Sequence, residues 1–259
     1  MLDCYDEEKF ALKALRAIVT GGATNIGRAI TEALLARGGR VVVGQPDPAI
    51  ARPLIEKFGD RVVALPVDVG DPAQCRRFID DAARALGGLD VLVNNAAVSG
   101  SPALSDLATL QPDFFDHIVA VNFGGVVFCS QAAVPHLKAS GGGVIVHISS
   151  INAVRPQRGA MIYAATKAAV SSLAQSMGKE LAADRIRVIA VAPGDIRVDT
   201  SVAMERTMKE RGVVSDVVNQ TPLGQGEPAD IAETVAFLCS DQAKFVTGTT
   251  WLVDGGLLA

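Results

Sequence analysis

The feature that most constrains this chain is a recurrence of short β-branched runs separated by longer stretches with helical spacing. The runs cover residues 17–20, 40–44, 61–65, 91–93, 144–148, 187–191 and 249–253. Between them lie sets such as Ala29-Ala33-Leu34 and Ala168-Ala169-Ser172-Leu173, which share a helix face. Strands apolar on both faces, alternating with helices, predict βαβ units around a buried parallel sheet. The expectation is an α/β fold: one doubly wound parallel sheet of about seven strands, spanning residues 1–259. No linker, repeat or composition break marks a second domain, and the Pro/Gly-rich stretch 221–228 reads as a loop between helices.

The formal net charge of −4 lacks the basic surplus of a nucleic-acid binder, so no such partner is expected. Cys4, Cys75, Cys129 and Cys239 are scattered, with no CxxC pair, which fits reduced thiols better than a disulfide framework or a zinc site. His117, His136 and His147 are too dispersed to predict a metal cluster, and His147 within an apolar run reads as a satisfied strand histidine. Residues 1–13 carry acids and lysines and no apolar h-region, so no signal peptide is expected. No run of about 18 apolar residues occurs, so no membrane span is expected either. Together these features predict a cytoplasmic protein.

The first strand runs into Thr20-Gly21-Gly22-Ala23-Thr24-Asn25-Ile26-Gly27, with a helix predicted from about Arg28. Such a turn lets backbone N–H groups and a helix N-terminus face a pyrophosphate. Gly21 would make the tight turn and Gly27 would allow close packing of the helix. Glycine also punctuates purely structural turns, but a turn between the first strand and first helix is the context a dinucleotide site requires. A nucleotide loop of the Gly-Lys-Ser/Thr type is excluded because that sequence is missing. The second strand ends at Val43-Gly44-Gln45-Pro46-Asp47. Gln45 stands where an acidic residue would grip the ribose hydroxyls of NAD, and no Arg or Lys adjoins it to take the phosphate of NADP. These residues favour NAD over NADP. Asp47 could supply the acid, within the limits Pro46 and Pro48 set on its direction.

Tyr163 and Lys167 stand at i and i+4, so on a helix they share a face. A nearby cation stabilises phenolate and would lower the tyrosine pKa toward working pH, which suits a general base for alcohol oxidation. Ser149-Ser150 ends a predicted buried strand thirteen residues before Tyr163, at the edge of the sheet where α/β proteins bind ligands. Ser150 has two readings, a strand-end cap and a hydrogen-bond donor to a substrate oxygen.

This Ser…Tyr-x-x-x-Lys set, with the glycine turn, resembles that of the short-chain dehydrogenase/reductase family. The turn departs from the family's Thr-Gly-x-x-x-Gly-x-Gly at Asn25, a residue that tolerates left-handed backbone angles. Further matches run along essentially the whole chain. Asn94-Asn95-Ala96-Ala97 resembles Asn-Asn-Ala-Gly, Asp68-Val69 resembles the acid-plus-apolar pair at adenine, and Pro193-Gly194-Asp195-Ile196 resembles the segment beside the nicotinamide. Val198 stands where threonine usually follows, and Thr200 comes later.

The resemblance implies a Rossmann fold, an NAD or NADP cofactor, and hydride transfer between a secondary alcohol and a ketone. It implies Asn122, Ser150, Tyr163 and Lys167 as catalytic residues. Tyr163 would move the proton, Lys167 would tune it and hold the ribose hydroxyls, and Ser150 would polarise the oxygen. Asn122 would support a proton-relay water through its helix backbone, with a buried, hydrogen-bonded helix asparagine as the competing reading. Gly21, Thr24, Asn25, Ile26, Gly27, Gln45, Asp68, Val69, Asn95, Ala96, Tyr163, Lys167, Pro193, Gly194 and Ile196 are the implied cofactor contacts. Val202, Met204, Met208 and Val213 fall in an implied lid within a substrate segment around 195–220, with ordinary packing as the other reading of these apolar residues. The final strand and turn imply a homotetramer, with a simple sheet edge covered by its own tail as the other reading.

Arg155, Arg158, Ser150 and Asp195 are the candidate substrate contacts. Arginines near a pocket suit carboxylate or phosphate, so a small polar or anionic substrate, such as a sugar, sugar acid or hydroxy acid, is expected. Solvent-facing or interface arginines are the other reading. The alternatives are a ketoreductase like the 3-oxoacyl-[acyl-carrier-protein] reductases, which would want NADPH, and a dinucleotide-binding protein without catalysis. The latter would lack catalytic residues that this chain has.

Overall fold

The computed structural model describes residues 15–199, 203, 206, 207, 210 and 220–259. Cys4 and the implied lid residues Val202, Met204, Met208 and Val213 lie outside that set, as do Thr200 and most of the segment 200–219.

Seven strands form one parallel sheet in the order β3-β2-β1-β4-β5-β6-β7. They are β1 (Arg16–Thr20), β2 (Arg40–Gln45), β3 (Val62–Pro66), β4 (Val91–Asn94), β5 (Gly143–Ile148), β6 (Ile186–Pro193) and β7 (Thr249–Val253). Every predicted run is a strand, to within a residue or two at the ends. The order reverses between β1 and β4, which opens a crevice at the carboxyl ends of the strands where a ligand can enter.

Strand periodicity of two builds both cores. Ala17 and Val19 of β1, Val41 and Val43 of β2, and Val91 and Val93 of β4 face one helix layer. Ile18, Val42 and Leu92 between them face the other. The first layer holds α1 (Asn25–Ala36), α2 (Arg52–Phe58) and α7 (Pro228–Cys239); the second holds α3 (Pro72–Leu86), α5 (Gly125–Ala139) and α6 (Met161–Glu180). Local signals set the helix ends. Asp71 accepts from Ala73 N and Gln74 N with Pro72 behind it, and Gly87 closes α3 at φ 74°.

The short helix α4 (Pro112–Val119) continues through a π-turn, Ala120–Gly124, into α5. The resulting Pro112–Ala139 helix is long and apolar enough to cross a membrane by length and composition, with a mean hydropathy of 1.6 over its best window. Half of that window is buried inside the domain against α3 and the sheet. The sequence reading missed this helix because polar Asn122, Ser130 and Gln131 interrupt the run without lowering its mean much.

Cys75, Cys129 and Cys239 are free and buried. Cys75 and Cys129, distant in sequence, meet between α3 and α5, and Cys75 Sγ donates to Val69 O at 3.2 Å. His147 is half-satisfied: Nδ1 lies 3.1 Å from Asn94 Nδ2, while Nε2 has no partner. Burial holds its pKa down at about 3, so the ring is neutral.

Candidate active site

The glycine turn joins β1 to α1 at the crevice. Gly21 adopts φ +63° and its N–H donates to Gly44 O at 2.8 Å, tying the turn to β2. Asn25 adopts φ +48°, so it does the conformational work of the missing glycine. Gly27 is required for space: a Cβ there would lie 2.1 Å from Gly21 O and 2.4 Å from Asn95 Nδ2. That amide nitrogen donates to both Thr20 O and Gly21 O at 3.0 Å. Asn95 N and Ala96 N in turn donate to Thr20 Oγ1 at 3.0 and 3.1 Å. Asn95 and Ala96 therefore fasten the turn to the end of β4 as well as facing the cavity. The first residues of α1 bring unpaired N–H groups to the same edge, a setting that favours an anion.

Gln45 is buried at the end of β2. With its amide oriented to meet the surrounding donors, Oε1 accepts from Ala23 N at 2.8 Å and Gly22 N at 3.3 Å. Its carbonyl oxygen thus supports the turn, while the residue stays on the cavity wall. Asp47 caps the short turn Pro48–Ala51 by accepting from Ala49 N at 2.9 Å and does not line the cavity, so it supplies no acid there. Asp68 and Val69 do line it, and Asp68 Oδ1 accepts from Gly70 N at 2.9 Å.

Ser149 and Ser150 follow β5. Ser149 Oγ donates to Lys167 O at 2.9 Å, fixing α6 to the strand end. Tyr163 and Lys167 lie one turn apart on α6, as the spacing predicted. Lys167 is buried; its Nζ donates to Ile148 O at 2.7 Å and stands 5.6 Å from the Tyr163 ring centroid. Burial pulls the Lys167 pKa down to about 8. The Tyr163 hydroxyl behaves differently from expectation. Desolvation raises its pKa above the ordinary value, opposed by a hydrogen bond from Ser150. Lys167 Nζ is turned to Ile148 O, and removal of the Tyr163 hydroxyl from water disfavours its phenolate.

Asn122 is fully buried in the π-turn, and its side chain holds the loop after β4. Oδ1 accepts from Val98 N at 2.7 Å and Nδ2 donates to Val98 O at 3.0 Å. The side chain is the hydrogen-bonded helix asparagine of the competing reading, while the π-turn widens the backbone helix around it.

These residues line one cavity of about 610 Å³. Gly21, Thr24, Asn25, Ile26, Gly27, Gln45, Asp68, Val69, Asn95 and Ala96 border one end. Ser150, Tyr163, Lys167, Pro193, Gly194, Asp195 and Ile196 border the other. Asn122 is set behind the wall formed by Val98 and Val121.

Two candidate substrate residues are not brought together with the site, which corrects that expectation. Arg155 turns to the C-terminal tail, donating to Leu257 O at 3.3 Å and to Gln220. Arg158 is exposed and outside the cavity wall. Asp195 is on the wall, its Oδ1 accepting from Gln225 Nε2 at 3.0 Å. Sequence reasoning missed His117, Leu104, Ile151, Asn152 and Gln157, all of which line the cavity. Asn152 and Gln157 lie in the same loop as Arg155 and Arg158, but only the turn geometry selects them over those arginines. Among the described residues no cluster of His, Cys, Asp or Glu could hold a metal ion.

Parallel seven-stranded topology, the glycine turn and a Ser–Tyr–Lys group on one crevice define a nucleotide-dependent oxidoreductase of the Rossmann class. A family profile described as enoyl-(acyl carrier protein) reductase matches residues 21–258. A 3alpha-hydroxysteroid dehydrogenase of Mediterraneibacter gnavus is 38% identical over 251 residues, 94% of this chain and 97% of the relative. A 3-oxoacyl-[acyl-carrier-protein] reductase of Staphylococcus aureus is 36% identical over 248 residues, 93% and 97% of the two chains. The crystal structure of a 3-ketoacyl-(acyl-carrier-protein) reductase from Brucella melitensis complexed with NADH superposes with a TM-score of 0.87. It is 31% identical, covering 96% of this chain and all of that one. The chain belongs to the short-chain dehydrogenase/reductase family, and its cofactor is a nicotinamide dinucleotide. The cradle fits such a group: the absent Cβ at Gly27 and the positive φ of Gly21 and Asn25 leave backbone facing the cavity.

Proposed function

We propose that the protein interconverts an uncharged secondary alcohol and its ketone, with NAD favoured over NADP. The observation that carries this reading is the Ser150–Tyr163–Lys167 group opening into the same cavity as the glycine turn. Among the described residues Lys167 is the only lysine or arginine on the cavity wall, which supports both an uncharged substrate and a cofactor without an extra phosphate. The wall mixes Leu104, Ile151, Ile196 and Val198 with His117, Asn152 and Gln157, which suits a largely apolar molecule bearing few polar groups.

When bound, the dinucleotide supplies the hydride acceptor or donor; the chain supplies orientation and proton handling. Gly21 to Gly27 would hold the pyrophosphate, Asp68 and Val69 the adenine, and Pro193, Gly194 and Ile196 the nicotinamide side. Lys167 Nζ has three donors, one taken by Ile148 O, so two remain for ribose hydroxyls. Ser150 donates to the reacting oxygen and Tyr163 Oη moves its proton. Asn122 holds the Val98 backbone in the cavity wall, and its widened helix turn would seat a relay water. Self-association through the free edge of β7, next to fully exposed Phe245 and half-exposed Leu252, would build the homotetramer, which sedimentation would reveal.

The test is an initial-rate screen of uncharged and anionic alcohols and ketones, 3-hydroxysteroids and 3-oxoacyl thioesters included, with NAD(H) and NADP(H) in parallel. Tyr163→Phe should abolish turnover and leave NADH binding nearly intact. Turnover at the wild-type level in that variant would remove the mechanism.

A further inference from the structure

The proposed chemistry requires Ser150 to give its proton to an oxygen in the cavity, yet a serine hydroxyl can donate or accept. We propose that Asn152 is a positioning residue that fixes this direction. Its backbone N–H and side-chain amide hold Ser150 Oγ as an acceptor and so aim the serine proton at the reacting oxygen. The inference rests on the alcohol–ketone reading above.

The amide orientation is determined from outside the site. Gln157 N can only donate, and it lies 2.8 Å from Asn152 Oδ1, so the carbonyl oxygen faces it. Asn152 Nδ2 must then face Ser150 Oγ, at 3.4 Å. The backbone N–H of Asn152 reaches the same oxygen at 3.1 Å. A hydroxyl has two lone pairs and one proton. With two donors directed at the lone pairs, only the proton is left to offer. Ser150 and Tyr163 line the same cavity, and Ser150 favours the phenolate there, so the proton is aimed at the phenol oxygen, and a substrate oxygen entering the cavity would receive it in turn. Asn152 is nearly buried, and flipping its amide would set donor against donor at Gln157 while withdrawing a donor from Ser150. The short turn Ile151–Ala153, capped by Ser150, keeps all three groups in register.

The chain has only two tyrosines, Tyr5 and Tyr163. Ring-fluorinated tyrosine in a Tyr5→Phe background therefore gives a single fluorine NMR signal that follows the Tyr163 phenol through its titration. Fluorination also lowers the phenol pKa, which keeps the titration at milder pH. Asn152→Asp keeps the shape and the Gln157 partner but replaces a donor by an ionised acceptor, so the serine proton should turn toward it. The phenolate then loses its donor, and the midpoint should rise by about one unit. Asn152→Ala removes the donor without adding charge and should raise the midpoint less.

The same substitutions in a Ser150→Ala background separate the serine's part from the direct repulsion of a new carboxylate. There the Asn152→Asp shift should fall below half. An equal shift with and without Ser150 overturns the inference, as does an unmoved midpoint in folded Asn152→Ala. Circular dichroism and NADH binding identify the folded variants, and Asn152→Ala alone decides if Asn152→Asp does not fold. The titration needs no turnover, so failure of the alcohol–ketone reading, seen as wild-type rates in Tyr163→Phe, is a separate result.

Discussion

Gly27→Ala isolates the packing that holds the cofactor turn. The new Cβ would stand 2.1 Å from Gly21 O, 2.4 Å from Asn95 Nδ2 and 2.9 Å from Gly21 C. Two of these are backbone atoms of the turn, and the third is an amide nitrogen fixed by two hydrogen bonds at 3.0 Å. Swinging Asn95 away would break both bonds, at roughly 0.5–1.5 kcal/mol each. Overpacking adds roughly 1–3 kcal/mol, and the better helix propensity of alanine returns up to about 1 kcal/mol. The net cost centres near 3 kcal/mol, which for a chain of this length lowers Tm by about 6–12 °C. NADH affinity should fall with it, because the displaced Gly21 carries the turn. Gly87→Ala is the matched control: its φ of +74° strains an alanine, but nothing lies within 4 Å of the new Cβ. That change should cost only about 1–2 kcal/mol and leave NADH binding alone. Thermal unfolding and fluorescence titration with NADH read both effects. A Gly27→Ala protein with the parent's Tm and NADH affinity would refute the reasoning, as would a larger loss of stability in Gly87→Ala.

Asn25 at φ +48° should accept glycine with a stability change within about 0.5 kcal/mol, whereas Asn25→Val should cost roughly 1–2 kcal/mol and weaken NADH binding; equal Tm values for the two variants would contradict this. Lys167 titrates at about 8 in the fold against 10.5 when unfolded. Between those values the unfolded chain binds a proton that the folded chain does not, so Lys167 makes stability rise with pH across that window, by up to on the order of 3 kcal/mol. Urea unfolding should therefore show wild type gaining on Lys167→Met from pH 8 upward, and parallel curves would refute it. Arg155→Ala and Arg158→Ala should leave the ratio of rates on uncharged and anionic substrates unchanged. A selective loss on anions in initial-rate assays would return an arginine to the substrate site.

The fold was legible because each strand is buried on both faces, which writes an unbroken β-branched run such as Val41-Val42-Val43 into the sequence. The spacing of Ser150, Tyr163 and Lys167 was legible for a related reason: strand end, loop and helix fix their distances once the elements are known. Asn25 was legible from backbone preference alone, since few residues other than glycine accept φ +48°. What the spacing could not carry was the balance of forces at Tyr163. Proximity of a cation suggested a lowered phenol pKa, but desolvation, a property of everything packed around the hydroxyl, raises it. The arginines failed for a similar reason. Their loop adjoins the cavity, yet Arg155 is drawn to Leu257 O and Gln220, residues about 65 to 100 positions away that no local reading connects to it.

The departures on the cofactor side are one solution rather than two. An acid at the end of β2 would have to be ionised in a place where Gln45 is 6% exposed and where, among the described residues, no cation lines the wall nearby. Glutamine offers the same carbonyl geometry without that desolvation cost. Its oxygen accepts from Gly22 and Ala23, the N–H groups just ahead of Asn25. Those contacts hold the first half of the turn from the β2 side, while Asn95 holds the carbonyls of Thr20 and Gly21 from the β4 side. With both flanks pinned, the turn no longer depends on a glycine at position 25, and an asparagine already content at positive φ suffices there. The less standard turn is therefore a rigid one, and its rigidity comes from the two neighbours that also border the dinucleotide end of the cavity.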